Sequence, residues 1–463
     1  MEFGPSSWRT PEMGMQREWL LTNGLGGYAS TALTGANARR YHGLLIAAPA
    51  NQERHLVLSQ ISEAVVDRGQ FCTLLAFHTR EQYYRGEEYL TDFWWTGMPV
   101  WRYRIGRLSL EKQVVLVHEK NRVIIRYRVR NGSHPVSLHL SPLVNFRNHH
   151  FLSYNQYVQF QTEFDGRRMS VHPFGSTDVI RIDCSDGNMV RRDRSWFYNM
   201  DYLLDRQRGQ PATEDHFLPG TYEISLEPGA VRTISLSVSL NEPFEPLDGD
   251  SAIRAELNRL QSLPLSRHPD PFVRSLSQAA DQFVIHRPED AGRDVEPGKA
   301  PGAQLLLDPA LFRHDTPRSP WGVSCGPSDP GTHNRTTTKA NGAPVPSVSL
   351  IAGYPWIGPW GRDSLIALPG LLLATGRHQE AGQLLLQMAG RVEKGMLPNP
   401  LLPDRRAGAD AFTPGEGAGK GIQGVSRISR IEKAIDGPLW LFEAAWRYVE
   451  ATGDLQTIRL LMP

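Results

Sequence analysis

RLSLEKQVVLVHEKNRVIIRYRVRNG, residues 107–132, alternates apolar and polar side chains in two runs separated by HEKN (118–121). A period of two belongs to a strand with one buried face. The first run passes through Val114–Val117, and the second places Val123, Ile125, Tyr127 and Val129 on one side before the turn pair Asn131-Gly132. The same alternation continues in VSLHLSPLV (136–144) and returns in TYEISLEPGAVRTISLSVSL (221–240). Many short strands with regular turns predict a large antiparallel β-sandwich over residues 1–250.

Nearer the amino terminus, GLGG (24–27) has neither GxGxxG spacing nor a preceding strand. A tight turn between strands is therefore the better reading than a phosphate loop. The following ARRYHGLLIAAP (38–49) sets Arg39, Arg40, Tyr41 and His42 before an apolar strand, with His42 read as a structural residue. Aromatic clusters FWW (93–95) and WFYNMDY (196–202) suit either core filling or a sugar groove.

EPFEPLDGD (242–250) reads as a linker, after which the period changes to that of helices. SAIRAELNRLQSL (251–263) carries Ile253, Leu257 and Leu260 on one stripe; PFVRSLSQAADQFVIH (271–286) carries Phe272, Leu276, Ala279 and Phe283. The chain is thus an α+β multidomain protein, with a helical domain over 251–463. Residues 287–346 are dominated by Pro, Gly, Asp, Arg, Ser and Thr and are expected to be a disordered insertion; a second irregular piece spans 404–424. LLLATG (371–376) and YVEATG (448–453) repeat one design, helix, Ala-Thr-Gly, next helix. Gly376 and Gly453 fit the left-handed position that closes a helix, which makes each copy a helical hairpin and the domain a toroid or a solenoid.

Composition narrows the chemistry. Lys plus Arg number 50 against 49 Asp plus Glu in 463 residues, so no charge excess points to nucleic acid or an anionic membrane. Cys72, Cys184 and Cys325 form no metal-ligand spacing, and no leader or membrane-spanning run is evident. A cytoplasmic protein without metal is expected. In GYPWIGPWGRDSLIALPGLLLATG (353–376) an aromatic turn runs into an apolar helix, with Tyr354, Trp356, Trp360, Arg362 and Asp363 close together. Flat rings with polar edges beside an Arg–Asp pair suit a sugar; core anchoring and a helix-start ion pair are the plainer alternative.

This stretch, IDGPLWLFEAAWRYVEATGD (435–454) and EWLLTNGLGGYASTALTGANARRYHGLLIAAP (18–49) resemble bacterial and archaeal glycogen debranching enzymes of the amylo-α-1,6-glucosidase type. The resemblance covers about half of the chain. It implies an (α/α)6 barrel for the helical half, as in six-hairpin glycosidases, and a cytoplasmic hydrolase of glycogen catabolism with no cofactor. The implied partner is an α-glucan such as glycogen, limit dextrin or a branched maltooligosaccharide. Because the helical text supplies roughly half of such a barrel, the domain is expected to be partial, with the general base beyond residue 463.

Residue by residue, Trp360, Arg362 and Asp363 resemble the family's WGRD motif, whose Arg and Asp hold sugar hydroxyls. Asn399 resembles a further loop residue facing that pocket, and Trp440 supports the alignment of the later helix. Asp436 matches the family's general acid, although Glu432 and Lys433 stand where Tyr and Asn are usual. Read without the family, Asp363, Glu432, Asp436 and Glu443 are the carboxylates available, and Asp436 is also a natural N-cap. A glucoamylase-like α-glucosidase and a catalytically silent glucan-binding protein are the alternative functions.

Overall fold

The computed structural model describes residues 1–49, 53–80, 82–287, 347–399 and 433–461. The expected insertions at 287–346 and 404–424 fall outside these residues, apart from Arg287, which ends a strand.

Among the described residues, the amino-terminal part forms two antiparallel sheets, one of nine strands and one of ten. The opening stretch supplies strands Leu108–Leu116 and Arg122–Arg130, paired so that Val114 faces Ile125 and Leu116 faces Val123. Val123, Ile125, Tyr127 and Val129 are buried as the alternation predicts. They meet Leu45, Leu58, Ile61, Leu138 and Tyr222 from the other sheet in one core. Packing of two amphipathic faces accounts for this layer arrangement.

Polar groups inside that core are partnered. Lys112 and Glu63 pair at 2.5 Å, and the Tyr127 hydroxyl donates to Glu63 at 2.7 Å. Trp101 donates its indole N–H to the Leu33 carbonyl at 2.6 Å. Burial of such groups is tolerable because each finds a partner.

Asp248 accepts from the Asp250 N–H and starts helix Gly249–Ser262, whose Ile253, Leu257 and Leu260 turn inward. Ile253 and Leu257 join the sandwich core, and Arg126 holds Asp250 at 2.7 Å. The next helix, Pro271–Asp281, departs from expectation in two ways. Phe272 and Leu276 of its stripe are exposed, while Ser277, Ala280 and Asp281 face inward. Charge explains the reversal: Asp281 pairs with Arg259 at 2.8 Å and with Arg377, so the polar side docks. The helix also ends early, because β-branched Val284 and Ile285 begin strand Val284–Arg287.

That strand pairs with Ser347–Gly353, which pairs in turn with Ile357–Pro359. The small sheet leans on the sandwich through His286 N–H to Gly24 O at 2.8 Å. Beyond it lie helix Gly361–Leu368, a π-helical turn Pro369–Leu373, and helices His378–Ala389, Gly437–Thr452 and Leu455–Leu461. Leu365, Leu368, Leu384, Leu385, Ala444 and Tyr448 share their core. Gly376 and Gly453 have φ of +78° and +69°, the left-handed closure read from the Ala-Thr-Gly repeat. In both copies the Thr hydroxyl donates back one turn, Thr375 to Leu371 O and Thr452 to Tyr448 O, each at 2.7 Å. No helix among the described residues is long and apolar enough to cross a membrane.

Candidate functional site

Three segments converge at one end of the helical layer. Helix Gly361–Leu368 starts after Trp360, helix Gly437–Thr452 starts after Asp436, and strand Leu397–Pro398 runs between the two starts, pairing with Lys433–Ala434. Fully buried Leu397 is the seam. A methyl group added at Gly361 would lie 2.7 Å from Pro398 O and 3.0 Å from Leu397 Cδ2; one added at Gly437 would lie 2.8 Å from Leu397 Cβ. Only glycine permits both helix starts to approach this strand so closely.

The close approach sets the neighbouring side chains. Arg362 reaches Asp436 at 3.8 Å, with side-chain exposures of 38% and 50%. Asp436 holds the N-cap position of its helix, yet its carboxylate makes no capping hydrogen bond. Its role as a plain cap is therefore not realised. The Gly361 N–H donates to Asn399 O at 2.7 Å, fixing buried Asn399 beside the same helix start. Among the described residues, Arg362 Nε, Asp363 Oδ2 and Asn399 Oδ1 are buried without a hydrogen-bond partner. Polar atoms left in this way are a natural address for the hydroxyls of a ligand.

Trp360 is partly buried at the N-cap of its helix, and Asp363 sits in the first turn. Trp440 lies one turn beyond Asp436, its N–H bonded to Asp436 O at 3.1 Å and its ring 37% exposed. The structure thus gathers Trp360, Arg362, Asp363, Asn399 and Asp436, with Trp440 on the following turn. Glu443 is engaged elsewhere, pairing with Arg447 at 2.9 Å on an exposed helix surface. Glu432 lies outside the described residues. No group of three His, Cys, Asp or Glu among the described residues is placed to hold a metal.

Sequence reasoning missed the sandwich residues that fix the aromatic loop. Buried Arg54 donates to Pro355 O at 3.0 Å and lies 4.8 Å over the Tyr354 ring. Tyr354 also meets Tyr28 edge-on at 5.6 Å. Burial pushes the Tyr354 phenol up to about 12, against the opposing charge of Arg54, so it stays neutral. A single Arg before a strand carries no local signal of this duty.

Comparison with known proteins places these features in a family. The model described as "Glycogen debranching enzyme N terminal" matches residues 17–233, and that described as "Amylo-alpha-1,6-glucosidase" matches 332–412. The second match begins inside the Pro- and Gly-rich stretch and ends before Asp436. A glycogen debranching enzyme of Saccharomyces cerevisiae is 39% identical over 72 residues, covering 14% of this chain and 5% of the yeast protein. The chain therefore matches only a small part of that relative's length. Among solved structures, a bacterial glucoamylase complexed with acarbose aligns with a TM-score of 0.34 and 10% identity, over 58% of this chain and 40% of that one. A putative aldose 1-epimerase from Escherichia coli K12 aligns with a TM-score of 0.27 and 11% identity, over 49% of this chain and 100% of that one. With both debranching-enzyme models matched in order, and the yeast sequence beside them, the chain is a protein of the glycogen debranching enzyme type.

Proposed function

We propose that the protein is a glycoside hydrolase that releases α-1,6-linked glucose at branch points of glycogen or a related α-glucan. Asp436 is the general acid. Its carboxyl donates a proton to the glycosidic oxygen as the bond to the anomeric carbon breaks; a second carboxylate, to which no described residue is assigned, activates water or attacks that carbon. Arg362, Asp363 and Asn399 hold hydroxyls of the sugar being released, while Trp360 and Trp440 offer ring faces. The helices after residue 250 form part of an (α/α)6 toroid, and the sandwich of residues 1–250 precedes it. A cytoplasmic location fits the free thiols Cys72 and Cys184.

The observation that carries this reading is the Asp436 carboxylate, half-exposed and released from capping, beside the unpartnered polar atoms of Asp363 and Asn399. The test is glucose release from an α-1,6-linked and an α-1,4-linked oligosaccharide of equal length. Faster release from the α-1,6 linkage supports the proposal. Preference for α-1,4 makes the protein a glucoamylase-like α-glucosidase, and binding without release makes it a silent glucan-binding protein.

A further inference from the structure

We propose that the GLGG turn (24–27) of the sandwich is a positioning element for the sugar site: its carbonyls Gly24 O and Leu25 O seat the small sheet that carries Trp360 and the helix bearing Arg362 and Asp363. The inference rests on the sugar-site reading above and gives a role to a motif that reading leaves unused.

The turn joins strands Glu18–Thr22 and Tyr28–Ala32, with Thr22 facing Tyr28. Gly24 and Gly26 have φ of +73° and +96°, a region that a residue with a Cβ rarely enters. Space is short as well. A methyl group added at Gly24 would lie 2.5 Å from His118 Cε1, and one added at Gly26 would lie 3.0 Å from Arg287 Nη2. Asn23 clamps the turn: its side chain accepts from the Leu25 N–H at 3.0 Å and donates to Lys120 O at 2.9 Å, while the Glu119 N–H donates to Asn23 O at 2.7 Å. The glycines thus turn two successive carbonyls towards the small sheet, and Asn23 keeps them there.

Both carbonyls are taken up there. The His286 N–H donates to Gly24 O at 2.8 Å, and Arg287 Nε donates to Leu25 O at 2.9 Å. Gln282 Nε2 adds a third bond across the joint, to Leu20 O at 3.2 Å. A turn that presents carbonyls in this way seats donors, whereas a phosphate would need its N–H groups. From the joint two links reach the site. Along the sheet, His286 faces Val348, Ile351 faces Pro359, and Trp360 follows directly. Across it, Val284 faces Leu350, whose carbonyl accepts from the Ser364 hydroxyl at 3.3 Å. Ser364 belongs to helix Gly361–Leu368, so the helix that carries Arg362 and Asp363 is held from the sheet side as well as at the Leu397 seam. Displacement of such groups by about 1 Å can cost about 10²-fold in rate, so the seating of this sheet lets the sandwich set how well the site holds a sugar.

The experiment is calorimetric titration of the full chain with isomaltose, beside its Gly26→Ala, Arg287→Gln, Arg287→Lys, Trp360→Ala and Val123→Ala variants, each with a melting curve. Gly26→Ala and Arg287→Gln are expected to lose about ten-fold in affinity, and Arg287→Lys, which can still donate to Leu25 O, to stay within about three-fold of the parent. Arg287→Gln keeps the test open should Gly26→Ala fail to fold. Val123→Ala truncates the sandwich core away from the joint, so it should lower the melting temperature and keep parental affinity. Parental affinity in Gly26→Ala and Arg287→Gln, with Trp360→Ala impaired, overturns this inference and leaves the site reading standing. Affinity that merely follows melting temperature, Val123→Ala losing as much as Arg287→Gln, makes the turn structural and also overturns it. So does Arg287→Lys binding as weakly as Arg287→Gln, since the Leu25 carbonyl would then not be the support. A parent that binds no isomaltose removes the site reading and this inference together.

Discussion

Arg362 Nη1 and Asp436 Oδ2 lie 3.8 Å apart although they open different helices, and Leu397 packs against both helix starts. Both helix starts rest on that one side chain, through glycines whose missing Cβ atoms leave the space for it. Packing at the seam thus sets the spacing of the charged groups above it.

Gly361→Ala should force the added methyl against Pro398 O and cost about 1–3 kcal/mol, the usual range for overpacking. Glucan affinity should fall with it, since Arg362 and Asp436 would separate. Urea unfolding beside a binding titration reads both quantities. A variant as stable as the parent would show that the seam relaxes without strain.

Trp360→Ala should weaken glucan binding with little change in melting temperature, because the ring is only partly buried at a helix start. Trp101→Ala is the counterpart. That indole is 1% exposed in the sandwich core, and its truncation should cost about 3–5 kcal/mol. Comparable losses of melting temperature in the two variants would class Trp360 with the core.

Stability should fall as the medium is acidified from about pH 6.5 towards pH 4. His216 is fully buried; desolvation, against the favourable charge of Glu214 and with the adverse charge of Arg147, lowers its pKa from 6.5 to about 4. Between those values the unfolded chain binds a proton that the folded chain refuses, so the contribution is complete above about pH 6.5 and is lost as pH falls through about 4. His118, also lowered to about 4 by burial and then by Arg259, acts in the same direction. Denaturant unfolding across this range should give a shallower slope for His216→Gln than for the parent; equal slopes would contradict the assignment.

Much of the sandwich was legible because one face of each strand is buried and the alternation records it, as in Val123, Ile125, Tyr127 and Val129. The helix Pro271–Asp281 was legible as a helix but not in its orientation. Its apolar stripe pointed one way, while the pairing of Asp281 with Arg259 and Arg377, from two other helical segments, turned it the other. Strand Val284–Arg287 escaped because its partner, Ser347–Gly353, lies across a long intervening segment. For the candidate site, the aromatic loop stood out by residue type, whereas Asp436 was one of four available carboxylates and was singled out by the family resemblance. Leu397, the two glycines that receive it and Arg54 did not stand out, since their importance is a matter of close approach between distant segments.

The central claim is that Asp436 delivers the proton, and Asp436→Asn assayed against two substrates tests it most directly. The amide keeps the size of the side chain but cannot act as the acid, so hydrolysis of an unactivated α-1,6 glucan should fall by about 10²–10⁴-fold while binding persists. A glucosyl substrate whose leaving group departs without protonation should be spared most of that loss. Asp363→Asn should instead weaken binding as well as turnover. Near-parental hydrolysis of the natural linkage by Asp436→Asn would contradict the account and place the acid elsewhere.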